Sequence, residues 1–417
     1  MILRDKTRRR LARTVLVLFG WAPFLLLVLI AFFIHGKTYD RWVETQLTNS
    51  LEMQVSFQEF EHPRWDTSRY EGVTLSDPET GEAVMNCNLL EVEYQHTGTP
   101  IPLLRIRMRD CRVFMDNSRP MWSFIERSFA HRRLWKNMQV EFSLANLSFD
   151  KCSNQTIRYM AGTLSDIPNG SEGVFAVYVS DKNAKGERSE QEKPARLKIA
   201  RLKNTSPATT NITLDSTQCP LAGELLAYWF PPAQRLGACA RFAGTFNAYS
   251  SGSGWDGSVS GIFNDVELNR IFVRGGKARC QATARLSITQ GEFVNERLVV
   301  AKGQLDAVKG SVDSAFIDTL TTQLKFPGAG AFNPYGNMTP FQQLSLGFEY
   351  ENEMVSFTGA CADCPNGTIL RGDLPLIRQP FSASDKTPLS TVVKLLNSSD
   401  EAAYIQIAKP ANTSVIR

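Results

Sequence analysis

The residues with most chemistry to offer are eight cysteines: Cys87, Cys111, Cys152, Cys219, Cys239, Cys280, Cys361 and Cys364. All lie beyond a long uncharged stretch near the N-terminus, and an even number in that position reads as disulfides in an oxidising compartment. Cys361 and Cys364 have the spacing of a redox pair. Such a pair needs a βαβ setting and a helix N-terminus to lower a thiol pKa, whereas Thr358 to Gly367 is a turn-rich stretch between two strand patterns. The pair is a candidate loop staple, with half of a metal site as the alternative. A zinc knuckle needs a second pair close by, and the sequence offers none. The pairing of Cys152, Cys219, Cys239 and Cys280 stays open.

Catalytic chemistry is thinly supplied. The four histidines, His35, His62, His96 and His131, never stand four apart, so no helical metal pair forms. Gly257-Ser-Val-Ser-Gly puts serine at the wrong positions for a nucleophile elbow, and no phosphate-cradling loop or Asp-x-Asp metal motif is present. Carboxylates are numerous, but only their separation in space bears on glycoside hydrolysis. The chain therefore reads as non-enzymatic, with no catalytic residues, no cofactor and no metal. A net charge of +4, much of it in the first residues, gives no electrostatic case for nucleic acid.

The elements that position these residues begin with Val15 to Ile34, twenty residues without a charge. As a helix they span about 30 Å, the thickness of a bilayer core. Arg4, Lys6, Arg8, Arg9, Arg10 and Arg13 precede them, which places the N-terminus in the cytoplasm. Phe32-Phe33-Ile34-His35 lacks the small residues of a cleavage site, so the stretch reads as an uncleaved anchor. The expected organisation is a basic tail over 1–13, a transmembrane anchor over 14–35, a juxtamembrane helix over 36–52, a β-rich region over 53–378 and a tail over 379–417. In the juxtamembrane helix, Trp42, Leu47 and Leu51 are spaced to share a face.

The clearest hairpin lies within the β-rich region. Leu90, Val92 and Tyr94 alternate with Glu91, Glu93 and Gln95, and Leu104, Ile106 and Met108 alternate with Arg105, Arg107 and Arg109. Setting Glu93 opposite Arg105 also sets Glu91 against Arg107, Val92 against Ile106, Leu90 against Met108 and Cys87 against Cys111. One register satisfies charge, apolar contact and sulfur together, and it predicts a Cys87–Cys111 disulfide. The arginines read as a solvated face paired with glutamates, in preference to a stripe for anionic lipid. Further on, the pattern predicts a helix over 122–134, strands from Met138 to Val179, an exposed loop from Lys182 to Arg196 and a helix over 220–230 stopped by Pro231 and Pro232. Four short strands, starting near Phe242, Gly257, Ala282 and Leu298, then lead to a helix over 314–324, a loop over 326–341 and closing strands over 344–358 and 368–376. The fold class is mainly β: an extended, curved antiparallel sheet with a few short helices after one transmembrane helix.

The run from Tyr70 to Val84 with the strand Leu90-Glu-Val-Glu-Tyr, then Phe242-Ala-Gly-Thr-Phe, Ser258 to Leu268, and Phe348 to Val355 followed by Ile369 to Leu376 together form a pattern of glycine-bounded strands behind a basic tail and one anchor. In this order of parts the chain resembles the AsmA-like proteins of bacterial envelopes; its cysteine richness departs from them. The resemblance implies a β-sheet groove with an apolar interior, inner-membrane anchoring with the bulk in the periplasm, and a role in outer-membrane assembly or phospholipid movement. Implied partners are the membrane, phospholipid and other envelope proteins. Leu90, Val92, Tyr94, Leu104, Ile106 and Met108 are the candidate groove lining. An anchored scaffold with a closed core and no lipid cargo is the alternative. Asn-x-Ser/Thr sequons begin at nine positions, among them Asn146, Asn169, Asn211 and Asn366. They would carry glycans in a eukaryotic secretory pathway and mean nothing in a bacterium.

Overall fold

The computed structural model describes residues 37–51, 53–95, 101–114, 138–150, 155–182, 188–190, 193–203, 208–226, 231–237, 239–250, 254–272, 279–295, 297–322, 324–328, 338–373, 375–379 and 386–396. The expected anchor over 14–35 and the expected helix over 122–134 lie outside these residues. Among the described residues, no helix is long and apolar enough to cross a membrane.

Helix α1 (Lys37–Leu51) opens the described chain, with Asp40 in its first turn where the helix dipole favours an acid. Val43 is its buried residue, and Tyr39, Leu47 and Leu51 pack against the same core at four-residue steps. Trp42 does not share that face: it is 52% exposed. The expected Trp42, Leu47 and Leu51 stripe is thus rotated by one position, because Val43 completes the i, i+4 ladder.

Strands follow in a long series. These are β1 (Gln54–Ser56), β2 (Glu59–Arg64), β3 (Thr67–Ser76), β4 (Ala83–Gln95), β5 (Leu103–Val113), β6 (Gln139–Phe149), β7 (Gln155–Ile167), β8 (Gly170–Lys182), β9 (Arg188–Glu190), β10 (Ala195–Leu202), β11 (Thr209–Asp215), β12 (Leu221–Ala222), β13 (Arg241–Ser250), β14 (Trp255–Glu267), β15 (Cys280–Val294) and β16 (Arg297–Ala307). Past these come β17 (Gly310–Val312), β18 (Thr339–Phe341), β19 (Gln343–Glu351), β20 (Met354–Gly359), β21 (Thr368–Arg371), β22 (Pro375–Arg378) and β23 (Thr387–Pro388). Three further helices are interspersed: α2 (Leu268–Phe272), α3 (Ser314–Thr322) and α4 (Leu389–Leu396). Pairing runs β3, β4, β5, β6, β7, β8, β10, β11, β13, β14, β15, β16, β19, β20, with β1 and β2 on the free side of β3.

The turn between β3 and β4 shows how local chemistry sets this order. Asp77 accepts the amide of Glu79 at 3.3 Å and the hydroxyl of Thr80 at 3.1 Å, an aspartate turn. Gly81 closes it at a φ of 72°, a left-handed conformation that glycine adopts without a Cβ clash.

Several expectations need correction. The sheet is not wholly antiparallel: β5 and β6 run parallel, from Leu103 beside Gln139 to Val113 beside Phe149. Alternation in sequence has the same period in both pairings, so the direction was not legible. Residues 182–196 do not form one loop, since β9 pairs back onto Ser180 to Lys182 and β10 starts at Ala195. The described part of 220–230 is not an α-helix: Leu221 and Ala222 pair with Phe242 and Arg241, a 3-10 turn, Gly223–Leu226, follows, and 227–230 lie outside the described residues. The prolines begin a second 3-10 turn, Pro231–Leu236, rather than only stopping one, as fits proline at a first helical position. The expected closing strand over 368–376 is two strands, β21 and β22. The tail also carries structure, because β23 pairs with β20 and α4 packs Leu389 and Val392 against Ala301, Tyr350 and Val355. The helix over 314–324 is present as α3, capped by Asp313, which accepts the amide of Phe316 at 2.7 Å.

Candidate functional site

The predicted β4–β5 register is the register of the molecule. Leu90 faces Met108, Glu91 faces Arg107, Val92 faces Ile106, Glu93 faces Arg105, Tyr94 faces Leu104, and Cys87 faces Cys111 in a disulfide. On the outer face Arg105 and Arg107 are taken up by glutamates of the two flanking strands, β4 and β6. Arg105 bridges Glu141 at 2.9 Å and Glu93 at 3.4 Å, while Arg107 bridges Glu91 at 2.5 Å and Glu93 at 3.1 Å. The hydrogen bond to Glu141 raises the Arg105 pKa above its ordinary value. A ladder so occupied is a solvated structural face. It leaves these two guanidinium groups already engaged.

The inner face is where the six candidate residues meet, and the register carries them much further than the hairpin. Val92 continues through Ile106, Phe142, Gly162, Phe175, Leu197, Leu214, Phe246, Val259, Gly291, Ala301 and Tyr350 to Val355, one residue from each of thirteen strands. Every member is apolar or glycine. At about 4.8 Å per strand the row is roughly 60 Å long. A second row runs beside it from Tyr94 through Leu104, Val140, Leu164, Gly173, Ile199, Ile212, Ala248, Gly257 and Phe293 to Leu298.

Burial along these rows is uneven. All six candidate residues are half-buried, as are Phe142 and Leu197. Further along the first row, Leu214, Phe246, Val259, Tyr350 and Val355 are buried. The core cluster there also holds Leu221, Leu226 and Leu236 of the 3-10 region, Leu268 of α2 and Phe316, Ile317 and Leu320 of α3. The apolar strip is therefore half-open at β4 and β5, and from β6 to β10 half-buried Phe142 and Leu197 are interspersed with buried Val140, Leu164, Phe175 and Ile199.

The strands are built with a device that sequence reading missed. Four glycines stand directly opposite phenylalanines: Gly162 with Phe175, Gly257 with Phe293, Gly303 with Phe348 and Gly310 with Phe341. Each ring lies over its glycine so closely that a Cβ would collide with it. An aromatic ring covering a bare strand glycine restores the packing that glycine lacks. The signal in sequence was glycine inside alternating strands with phenylalanine at a cross-strand position, as at Gly257 and Phe293.

Cys361 and Cys364 do not form the expected staple; both are thiols. The Cys361 thiol is turned inward, donating to the Ile369 carbonyl at 3.1 Å, and burial pushes its pKa up to about 11. Cys280 is likewise buried, with its pKa pushed up to about 12 by that burial and, less, by Asp313. Both are suited to packing rather than to nucleophilic attack. Among the described residues, no group of three or more histidine, cysteine, aspartate or glutamate side chains is placed to hold a metal.

No family model matches the chain, and no curated protein matches it.

Proposed function

We propose that this chain is an anchored envelope protein that holds lipid acyl chains along the inner face of its sheet, in the manner the AsmA-like resemblance implies. The anchor is the uncharged stretch Val15 to Ile34, and the β-rich part stands in the periplasm. The observation that carries the reading is the unbroken apolar row from Val92 to Val355, half-open at its β4 and β5 end. Bulges at Val259 and at Ile288 bend the sheet across β14 to β16. Acyl chains laid on the apolar face leave water, worth about 0.8 kcal/mol per methylene. The outer face, with its Arg–Glu ladder, stays solvated.

Photo-crosslinking of the full chain in its membrane tests this. Benzoylphenylalanine placed at Ile106 on the inner face is expected to capture phospholipid, and the same group at the exposed outer-face Arg109 is not. Equal capture at both positions, or none at Ile106, would overturn the lipid reading. The second reading, an anchored scaffold with a closed core, is favoured by the full burial of Phe246 and Val259 in the same row. Loss of lipid capture would leave that scaffold as the better account.

A further inference from the structure

Trp65 stands in the turn between β2 and β3 and is 86% exposed. Trp42 of α1 is 52% exposed and stacks on Tyr39 at 5.8 Å between ring centroids. The two tryptophans belong to the same end of the molecule, as the contacts along α1 show. Thr48 accepts the amide of Val55 at 3.1 Å, Glu44 accepts that of Phe57 at 3.4 Å, and the Tyr39 ring lies 5.8 Å from Phe60 and 6.5 Å from His62. Each step toward the start of α1 is thus a step along the chain from β1 through β2 toward Trp65. The start of β5 reaches this end too, because Tyr94 donates to the Asp66 carbonyl at 2.8 Å and faces Leu104.

The length of chain ahead of α1 ties this corner to a bilayer. Four residues separate Ile34, the last of the uncharged stretch, from Tyr39, and the five steps between them span at most about 18 Å. The surroundings of Trp65 also distinguish a lipid surface from a protein partner. His62 and Arg64 beside it are exposed, with Asp66 next in the turn, so the indole is flanked by polar and charged groups. An indole with an apolar body and one N–H donor, framed by charges, fits the headgroup layer, where tryptophan and tyrosine concentrate.

We propose that Trp65 and Trp42 rest in the headgroup layer of the membrane from which the chain is suspended, fixing the sheet and its half-open end against the lipid surface. This docking rests on the anchor proposed above. It is tested on the full chain reconstituted into vesicles of phosphatidylethanolamine and phosphatidylglycerol, with and without bromine on the acyl chains near the headgroups. The chain has seven tryptophans, so the readout is the difference in emission between the parent and Trp65→Phe, and between the parent and Trp42→Phe. The expected Trp65 difference spectrum is blue-shifted and loses most of its intensity in brominated vesicles; the Trp42 spectrum follows more weakly. A red-shifted, unquenched Trp65 difference spectrum overturns the docking. Flotation of the same vesicles after an alkaline wash separates the failures. A chain that floats with Trp65 unquenched keeps its anchor and loses the docking; a chain that does not float loses both. Lipid capture at Ile106 reports the inner face independently of either result.

Discussion

Gly162 matters because it has no side chain. Phe142 and Phe175 sit on the strands either side of it, with ring centroids 6.1 Å apart, edge to face. A Cβ at position 162 would collide with the Phe175 ring and the Val174 carbonyl. Gly162→Val is therefore expected to force Phe175 out of the row and lower stability by about 1–3 kcal/mol, the usual penalty of overpacking; an unchanged denaturant midpoint would show that the rings do not depend on the gap. Cys361 makes a different residue-scale case. Its pKa when folded is about 11, above the ordinary 9.0. The folded state thus holds its proton more tightly, so this contribution to stability is whole below about pH 9 and fades as the pH rises through 11. Iodoacetamide at pH 8 is expected to modify the half-buried Cys364 in the native protein, and Cys361 only after denaturation. Rapid native labelling of Cys361 would contradict its inward placement.

At the scale of elements, the β4–β5 hairpin was legible because three independent kinds of contact agreed on one register. Charge pairs such as Glu91 with Arg107 are worth only about 0.2–1 kcal/mol each, but a one-residue slip would also turn Val92 and Ile106 outward and separate Cys87 from Cys111. The disulfide closes a separation of 24 residues. Replacing both cysteines by serine is expected to cost roughly 2–4 kcal/mol and to speed hydrogen exchange of the β4 and β5 amides above that of β13 and β14. Uniform exchange across the sheet would show that the bond adds nothing local. Elsewhere agreement between signals was lacking. The parallel partner of β5 shares its alternation with any antiparallel one. The Leu221 to Phe230 stretch had helical spacing, but Leu221 and Ala222 found strand partners in Phe242 and Arg241, a tertiary choice that local periodicity does not contain. α4 was legible and missed: Leu389, Val392, Val393 and Leu396 stand at the i, i+3, i+4, i+7 spacing of a helix face, and Leu389 and Val392 pack on the Ala301, Tyr350 and Val355 cluster. Of the inner face, the hairpin end could be read from sequence; its continuation needed the pairing of strands far apart in the chain.

For the whole molecule, one apolar row serves two environments, and that difference decides between a lipid groove and an ordinary core. Ile106 and Phe142 are half-buried, while Phe246 in the same row is 0% exposed. If the half-open end is a groove, its side chains hold lipid more than they hold the fold. Phe246→Ala removes a ring from a closed core and is expected to cost about 3–5 kcal/mol. Ile106→Gln keeps the volume of a half-buried side chain but makes it polar, so the midpoint of unfolding should fall far less, while phospholipid capture from a neighbouring inner-face position such as Phe142 should drop. A closed core predicts the opposite pairing: Ile106→Gln would destabilise strongly, because a buried amide without partners is costly, and there would be no lipid signal to lose. Measuring stability and lipid capture on the same two variants separates these outcomes, since no single loss of folding can produce a stable Ile106→Gln protein that has lost its lipid.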